Sequence, residues 1–522
     1  MLTDSEIKEV RELLLASELA DAQVAATLHK YGIRNPRTAD ANIQSIAGEP
    51  HTRLVFADLL PALLEALAQT ADPDMGLNNL QRLVEAAISR ESLLHYFISD
   101  PGALELLLLV FTTSQHLSDI LIQNAGHLDW VRGLEEEDVR LARQRMLDEL
   151  CQNLAVLHLY EHRLEEMRRF KNIEILKIGI RDLIREERVE TVTRRLSALA
   201  EVELEVAISV ARERAAERRG CPAEDLPRHG FAVIGMGKLG GSELNYSSDI
   251  DLVFVYDGTA RPNGGWRPSG FTREEYYGAL ARLVLEAMTC SMVHGLVWRV
   301  DMRLRPDGHM GEIVRSDQAT LKYYAERAAP WERQALIKAR CVAGDPVFGE
   351  RVVSELSALA YEERFAASAA KEVRQMKDRI ESELRRRHPH QTNVKLGQGG
   401  IRDIEFVTQM LQLRHGPKDP RLRTQNTLEA LRRMKEDGHI AGRDAQALES
   451  AYIFLRELEH RLQMMHGLQV HALPRGEADV QKLAIRMGFE DRGRVSAREA
   501  FVSAYGEHTR ATRAIFEQVV QD

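Results

Sequence analysis

The residues of this sequence best suited to chemistry are two aspartates that follow a glycine-rich turn. They lie in residues 231–256, which read FAVIGMGKLGGSELNYSSDIDLVFVY. Apolar runs on both sides predict two strands, and Asp249 and Asp251 begin the second one. Because alternate residues of a strand project from one face, the two carboxylates repel each other unless a cation separates them. Next to a glycine turn that admits an anion, they predict a divalent metal that holds a phosphate.

The same glycines match the GxGxxG pattern of dinucleotide-binding proteins. That pattern requires a long helix directly after the glycines and an acid at the end of the next strand, about 20 residues on. Here only eight residues separate the last glycine from Asp249, and the acids begin the strand. The P-loop pattern also fails, because Leu239 follows Lys238 where Ser or Thr is required. An NAD site is therefore the weaker interpretation.

A second charged group follows in residues 298–306, which read WRVDMRLRP. If this segment is a strand, then Asp301, Arg303 and Arg305 share one face. The acid then supplies a further metal ligand, and the guanidiniums hold phosphate oxygens. The alternative is a half-exposed edge strand with ordinary Asp–Arg ion pairs. Taken with the two aspartates of the glycine-rich segment, the functional interpretation is favoured.

Four segments in this order resemble the glutamine synthetase adenylyltransferase/adenylyl-removing enzymes, which belong to the nucleotidyltransferase superfamily typified by DNA polymerase β. They are residues 235–252 (GMGKLGGSELNYSSDIDL), 300–306 (VDMRLRP), 331–340 (WERQALIKAR) and 393–406 (NVKLGQGGIRDIEF). Four long motifs in a fixed order are far more specific than any one pattern.

The resemblance implies a function. The family enzyme carries two related catalytic halves, of which one attaches AMP to a tyrosine of glutamine synthetase and the other removes it by phosphorolysis. The residues of the motifs in this sequence resemble those of the N-terminal, adenylyl-removing half. The expected reaction is therefore Mg²⁺-dependent removal of AMP, in which phosphate is consumed and ADP is released. Attachment of AMP from ATP stays an alternative, as does a non-catalytic domain that senses nucleotide or the PII signalling protein.

The resemblance also implies roles for single residues. Asp249, Asp251 and Asp301 are the expected catalytic residues, because they hold Mg²⁺ around the α-phosphorus. The expected nucleotide and phosphate ligands are Gly237, Lys238, Gly240, Gly241, Ser248, Arg303, Arg305, Lys338 and Arg340. The expected partners are glutamine synthetase, PII, ATP or ADP, and phosphate.

Some charged residues of the motifs keep two interpretations. Glu243 is either a metal ligand or a helix cap. Lys395, Asp403 and Glu405 either buttress the site from a neighbouring domain or stabilise the start of a helix by their charge. The residues alone do not decide between these roles.

The composition excludes several classes of protein. A formal charge of -9 argues against non-specific nucleic-acid binding as the main function. Four dispersed cysteines form no CxxC pair, which argues against a disulfide framework and favours a reducing cytoplasm. The acidic N-terminus lacks a signal-peptide pattern, and the longest nearly apolar run, 103–111, is shorter than the roughly 20 residues of a membrane helix. We therefore expect a cytoplasmic protein with neither a nucleic-acid nor a membrane partner.

Hydrophobic periodicity predicts an α+β protein that is predominantly helical. A small mixed-sheet domain is expected between helical domains, and the resemblance implies that it is of the polymerase-β type. The predicted strands are Ala232–Gly235, Leu252–Tyr256 and Leu296–Leu304, with a helix from Arg273 to about residue 294. The predicted division is an N-terminal helical region, 1–222, a nucleotidyltransferase domain, 223–345, and a C-terminal helical bundle, 346–522.

Overall fold

The computed structural model describes residues 2–16, 19–124, 137–184, 187–259, 272–387 and 391–521. The chain divides into two compact units. Unit 1 comprises Met1–Glu136, Ile175–Glu186 and His460–Ser503, and unit 2 comprises Glu137–Glu174, Glu187–Glu459 and Ala504–Asp522. The division into three regions that the composition predicts stays a prediction.

Helices make up most of the described chain. In order they are α1 (Asp4–Leu15), α2 (Asp21–Lys30), α3 (Pro36–Ala47), α4 (Pro50–Ala68), α5 (Pro73–Ala86), α6 (Arg90–Ser99), α7 (Pro101–Thr113), α8 (Gln115–Gln123), α9 (Val139–Ala155), α10 (Tyr160–Leu183), α11 (Val189–Glu217), α12 (Gly237–Gly240), α13 (Arg273–Thr289), α14 (Asp317–Glu326), α15 (Pro330–Ala335), α16 (Pro346–Ala360), α17 (Glu363–Arg387), α18 (Ile401–His415), α19 (Thr427–Glu436), α20 (Gly442–His466), α21 (Glu477–Arg486) and α22 (Ala497–Gln521). Single 3₁₀ turns occur at Ala223–Asp225, Gly308–Met310, Leu336–Lys338 and Pro420–Leu422.

Local sequence explains where the helices of unit 1 begin. Asn35, Asp72 and Asp100 each precede a proline, and each side chain accepts a hydrogen bond from a main-chain N–H of the first turn. A proline at the first helical position removes an N–H that has no partner there, and the capping oxygen satisfies another. Apolar residues at helical spacing then bury one face of each helix, as in α5, where Leu77, Leu80 and other residues are fully buried.

Unit 2 contains a mixed sheet of five strands. They are β1 (Phe231–Met236), β2 (Ile250–Tyr256), β3 (Val300–Asp301), β4 (Val314–Ser316) and β5 (Arg340–Gly344). The order is β3-β2-β1-β5, and β4 lies beside β2 further along that strand. β1 is antiparallel to β2 and β5, whereas β3 and β4 are parallel to β2. The sheet and the prevailing helices confirm the predicted α+β class.

The core of this sheet forms on one face of β1 and β2. Ile234 and Val253 are buried there against Leu336 and against Phe348 of α16. Burial of such side chains contributes about 1.5–3 kcal/mol each relative to full exposure. This packing holds β1 and β2 in place. It therefore also fixes the turn between them, which carries the glycine motif.

The predicted strand Leu296–Leu304 is wrong over most of its length, because only Val300 and Asp301 pair with β2. The reason is a local hydrogen bond: Asp301 Oδ1 accepts the main-chain N–H of Arg303 at 2.8 Å, which turns the chain away from the sheet. Arg303 and Arg305 therefore do not share a strand face with Asp301. The other two predicted strands are confirmed, and β4 and β5 were missed.

No single helix in the described ranges is long and apolar enough to cross a membrane. Helices α6 and α7 pass that test only when taken together, and they are bent by 110° at their junction.

Candidate active site

Two of the three predicted metal ligands lie side by side on neighbouring strands. Asp251 of β2 is directly opposite Asp301 of β3 in the parallel register. Asp249 precedes β2 by one residue and keeps 34% of its side chain exposed, whereas the side chain of Asp301 is 13% exposed. The pairing of β2 with β3 therefore brings the carboxylates of two distant motifs together.

The pKa of the central carboxyl group depends on its burial and on the charges of the other two. Burial raises the pKa of Asp251 to about 6, with repulsion from Asp301 and Asp249 acting in the same direction. Burial also opposes ionisation of Asp301, but hydrogen bonds from Arg303 outweigh it and lower the pKa of that carboxyl. A carboxyl group held at a raised pKa beside two others is a place where a cation binds favourably.

Two arginines hold the outer aspartates. Arg299 Nε lies 2.6 Å from Asp249 Oδ1, and its Nη2 donates to the main-chain oxygen of Ser247. Arg303 Nε lies 3.0 and 2.8 Å from the two carboxylate oxygens of Asp301. Sequence reasoning missed Arg299, although it lies two residues before Asp301 in the same motif.

The three aspartates have the chemistry that a divalent cation requires. Hard cations such as Mg²⁺ bind carboxylate oxygens, and three aspartates of which one has a raised pKa supply them. Among the described residues, the group of three or more acidic, histidine or cysteine side chains whose ligand atoms all lie within 4.8 Å of one another is Asp419, Asp437 and His439. Arg421 Nη2 already bridges that pair of acids, at 2.8 and 3.0 Å. The three site aspartates are more widely spaced, but their chemistry fits Mg²⁺.

Gly237 allows the glycine turn to approach the carboxylates. Its φ of +52° is one that L side chains rarely adopt, and a Cβ at this position would lie 2.4 Å from Asp251 Oδ2. Asp251 and Gly237 are therefore in direct contact, and any side chain here would push against the carboxylate. The glycine is required by both backbone conformation and space.

Replacing Gly237 with Ala should destabilise the protein more than the same change at Gly220. Gly220 has a similar φ of +65°, but no heavy atom lies within 4 Å of the added Cβ. Gly220→Ala then measures the cost of the backbone conformation alone, about 1–2 kcal/mol, and the excess for Gly237→Ala measures the clash with Asp251. Urea unfolding midpoints provide the comparison. Equal losses for the two variants would contradict the predicted contact.

The next two glycines of the motif pack against the chain around Lys338. A Cβ on Gly240 would lie 1.7 Å from the main-chain oxygen of Lys338, and one on Gly241 would lie 3.0 Å from its Nζ. That Nζ donates to Glu243 at 2.7 Å and to Thr427 at 2.9 Å. Lys338 is thus buried in a protein hydrogen-bond network, and Glu243 is its acceptor. Its predicted role as a phosphate ligand stays a prediction.

Arg340 and Arg305 also donate to the protein. Arg340 begins β5 and donates to the main-chain oxygens of Leu239 and Gly240 at 2.9 and 3.0 Å. Arg305 donates to the oxygens of Met302, His309 and Gly311, which closes the turn after β3. In the part of the chain that the structure describes, neither guanidinium forms an ion pair with the three aspartates, and their phosphate-binding roles stay predictions.

The lysine of the glycine motif contacts helix α20. Lys238 Nζ lies 3.1 and 3.0 Å from the two oxygens of Glu459, which also accepts from Asn245. Burial lowers the pKa of Lys238 to about 7, although Glu459 opposes this. Arg456, one turn earlier on α20, lies 3.6 Å from Glu459. Sequence reasoning missed this network, because Glu459 is 221 residues from Lys238.

Ser248 belongs to the turn that connects this network to the aspartates. Its hydroxyl oxygen accepts the main-chain N–H of Asn245 at 3.1 Å, and its own N–H donates to the main-chain oxygen of Asn245. Both Ser247 and Ser248 are 7% exposed. These bonds fix the approach of the chain to Asp249, and a phosphate contact from Ser248 stays a prediction.

The last motif brings two further cations to the aspartates. The positive charges of Lys395 and Arg402 lower the pKa of Asp251 and so partly offset the effect of burial. The main chain joins them, because the N–H of Arg402 donates to the oxygen of Lys395 at 3.0 Å. Lys395 is half-buried, and its ammonium group has no hydrogen-bond or ion-pair partner among the described residues.

The two acids of that motif have different surroundings. Asp403 is buried against Lys377 and accepts the N–H of Gly399 at 2.7 Å, so it holds the glycine turn before α18. Burial opposes ionisation of Glu405, but the positive charges of Arg402 and of neighbouring lysines outweigh it and lower the pKa of this carboxyl. The two acids therefore have different roles. Asp403 shapes the turn, whereas Glu405 lies among the cations near the site.

Two family models match this chain. The family model described as Glutamate-ammonia ligase adenylyltransferase matches residues 104–355, and the model described as GlnD PII-uridylyltransferase matches residues 374–520.

Curated relatives described as bifunctional glutamine synthetase adenylyltransferase/adenylyl-removing enzymes also match. The one from Streptomyces coelicolor is 34% identical over 94% of this chain and 47% of its own length, and that from Nitrosococcus oceani is 38% identical over 71% and 38%. The enzyme from Pseudomonas aeruginosa is 38% identical over 62% of this chain and 33% of its own length. The chain thus spans less than half the length of the curated relatives it matches.

Proposed function

Because the chain belongs to the glutamine synthetase adenylyltransferase/adenylyl-removing family, we propose that it removes AMP from adenylylated glutamine synthetase by phosphorolysis. The observation that carries this proposal is the pairing of Asp251 with Asp301 beside the glycine turn. Both carboxylates come from motifs of the family, and they meet on adjacent strands. The reaction would control nitrogen assimilation in the cytoplasm.

Asp249, Asp251 and Asp301 are the proposed metal ligands. Mg²⁺, when bound, would supply the positive charge that neutralises the oxygens around the α-phosphorus. Arg299 and Arg303 keep the outer carboxylates oriented, and Gly237 leaves room for the central one. These residues position the reacting groups, which is the main contribution of a protein to phosphoryl transfer.

The proposed reaction is a displacement at phosphorus. An oxygen of orthophosphate forms a bond to the α-phosphorus of adenylyl-tyrosine, and the bond from that phosphorus to the tyrosine oxygen breaks. ADP and the free tyrosine side chain are the products, and the phenolate takes up a proton from solvent. The nucleophile is already an anion, so no general base is required, whereas the phenolate, with a pKa of about 10, is a poor leaving group.

Lys395 and Arg402 are the proposed binding groups for the attacking phosphate. Both act electrostatically on Asp251, and among the described residues neither has a carboxylate within hydrogen-bonding distance, since Arg402 Nε is 3.6 Å from Glu405. Phosphate oxygens accept charge-assisted hydrogen bonds from such groups. These half-buried cations act on Asp251 and are thus suited to hold an anionic substrate next to it.

Replacing Lys395 with Met should raise the KM for phosphate and lower kcat/KM by about 10-fold to 100-fold, since a hydrogen bond to a charged group contributes about 1.5–3 kcal/mol. Steady-state kinetics with varied phosphate provide the measurement. Lys418→Met is the control, because Lys418 is exposed beyond the end of α18. An unchanged KM in the Lys395 variant would remove this residue from the phosphate site.

The direction of AMP transfer is tested with two parallel reactions. Adenylylated glutamine synthetase with phosphate and Mg²⁺ should yield ADP, and unmodified glutamine synthetase with ATP and Mg²⁺ should incorporate no AMP. Excess EDTA should stop ADP formation, and added Mg²⁺ should restore it. Incorporation of AMP without ADP formation would instead establish attachment as the activity.

A regulatory role for the C-terminal helices is a second candidate. Residues 374–520 match a model named for PII-uridylyltransferase, which favours a domain that responds to the PII signalling protein. ATP binding without turnover of either substrate, together with PII binding, would favour this candidate over catalysis.

A further inference from the structure

Unit 1 contains a cavity of about 390 Å³ that none of the predicted site residues lines. Its apolar wall includes Leu108 and Leu109 of α7 and Leu183 of α10, and two arginines, Arg461 and Arg486, also line it. This volume is near the lower end of the range for sites that bind small molecules. The wall therefore combines an apolar surface with positively charged groups.

Arg486 is buried without enough acceptors. Its side chain is only 2% exposed, and its Nη2 donates to the main-chain oxygen of Thr112 at 2.8 Å. Its Nε and Nη1 have no hydrogen-bond partner in the part of the chain that the structure describes. The carboxylate of Asp72 is 3.8 Å from Nη2 and already binds Lys482 Nζ at 2.6 Å. Burying such donors without acceptors is costly, so most native proteins avoid it.

The second guanidinium of the cavity differs in this respect. Arg461 Nη2 lies 2.8 Å from Asp182 Oδ1, so a buried carboxylate balances its charge. The carboxylate that lines the cavity, that of Glu105, belongs to an exposed residue and is solvated. Arg486 is accordingly the cation in this wall whose hydrogen-bonding capacity is unfilled.

We infer that this cavity binds a small organic anion, whose carboxylate or phosphate group accepts hydrogen bonds from the guanidinium of Arg486. A planar guanidinium suits such oxygens. The leucine wall takes a short apolar part of the ligand, and the volume limits the ligand to the size of a small metabolite. The inference is independent of the proposed catalytic function.

The test is calorimetric titration of the full chain, in EDTA, with three ligands that share a short alkyl chain. They are butyrate, propylphosphonate and butylamine, which carry a carboxylate, a phosphonate and a cation. We expect saturable binding of at least one anion, with Kd on the order of 1 mM, and no binding of butylamine. Comparing the two anions distinguishes a carboxylate site from a phosphate site.

Arg486→Met should weaken the binding of that anion at least about tenfold, since it removes the charged donors. Arg492→Met is the matched control, because Arg492 is an exposed arginine of the same unit, and it should bind as the wild type does. If Arg486→Met does not fold, Ala71→Leu fills the cavity while Arg486 remains, and it should also abolish binding. The inference is overturned if neither anion binds saturably, or if binding persists unchanged in the variant that folds.

Discussion

Replacing Asp251 with Asn should abolish turnover, with a fall in kcat of at least about 10³-fold, while the fold stays intact. Losing one group that stabilises charge in a transition state costs about 10²–10³ in rate, and the loss of a metal ligand affects every charge that the metal neutralises. The side chain keeps its shape, so the packing of β2 against β3 is retained. Single-turnover ADP formation from adenylylated glutamine synthetase is the measurement.

The same variant should be at least as stable as the wild type in EDTA. Burial and the neighbouring aspartates raise the pKa of Asp251 to about 6, so the folded protein holds this charge unfavourably. A neutral amide removes the repulsion. Asp257→Asn, at the far end of the same strand, is the control and should keep nearly full activity. Retention of turnover by the Asp251 variant would contradict the assignment of the site.

Replacing Glu459 with Gln should lower the free energy of unfolding by about 3–5 kcal/mol, the cost of removing one partner from a buried ion pair. Glu459 is fully buried and accepts from Lys238 and Asn245, and Arg456 is within 3.6 Å. Without its charge, two buried cations lose their counter-ion. The effect should appear as a lower urea midpoint and as reduced activity, because Lys238 belongs to the glycine turn.

Glu436→Gln is the control for that substitution. Glu436 is exposed at the end of α19, and such changes usually alter stability by less than about 0.5 kcal/mol. A loss below about 1 kcal/mol in the Glu459 variant would mean that Lys238 and Arg456 are neutralised by other groups. The contact between Lys238 and Glu459 of α20 would then not be what holds the glycine turn in place.

The sequence pattern predicts those parts of the site whose structure depends on residues close together in the chain. The alternation of Asp249 and Asp251 and the apolar runs around them define β1 and β2, because side chains on a strand alternate between faces. The same rule failed after Asp301, where a single hydrogen bond to Arg303 ended the strand. A period-two pattern cannot reveal an aspartate that accepts its neighbour's N–H.

The partners of the motif lysines could not be predicted for a different reason. The resemblance implies that Lys238 and Lys338 are phosphate ligands, yet Lys238 binds the buried Glu459 and Lys338 binds the buried Glu243. A sequence shows which residues carry charge but not which charges the fold buries together. Lys395, by contrast, has no partner among the described residues and lies near Asp251, although its motif alone left its role open.

The most direct test of the central claim follows the phosphorus atom of the attacking phosphate. Adenylylated glutamine synthetase is incubated with this protein, Mg²⁺ and ³²P-labelled orthophosphate, and the products are separated. Phosphorolysis at a site formed by Asp249, Asp251 and Asp301 predicts that the label appears in ADP, and that it does not when Asp251 is replaced by Asn. Release of unlabelled AMP, or label in ADP with the Asp251 variant, would contradict the account.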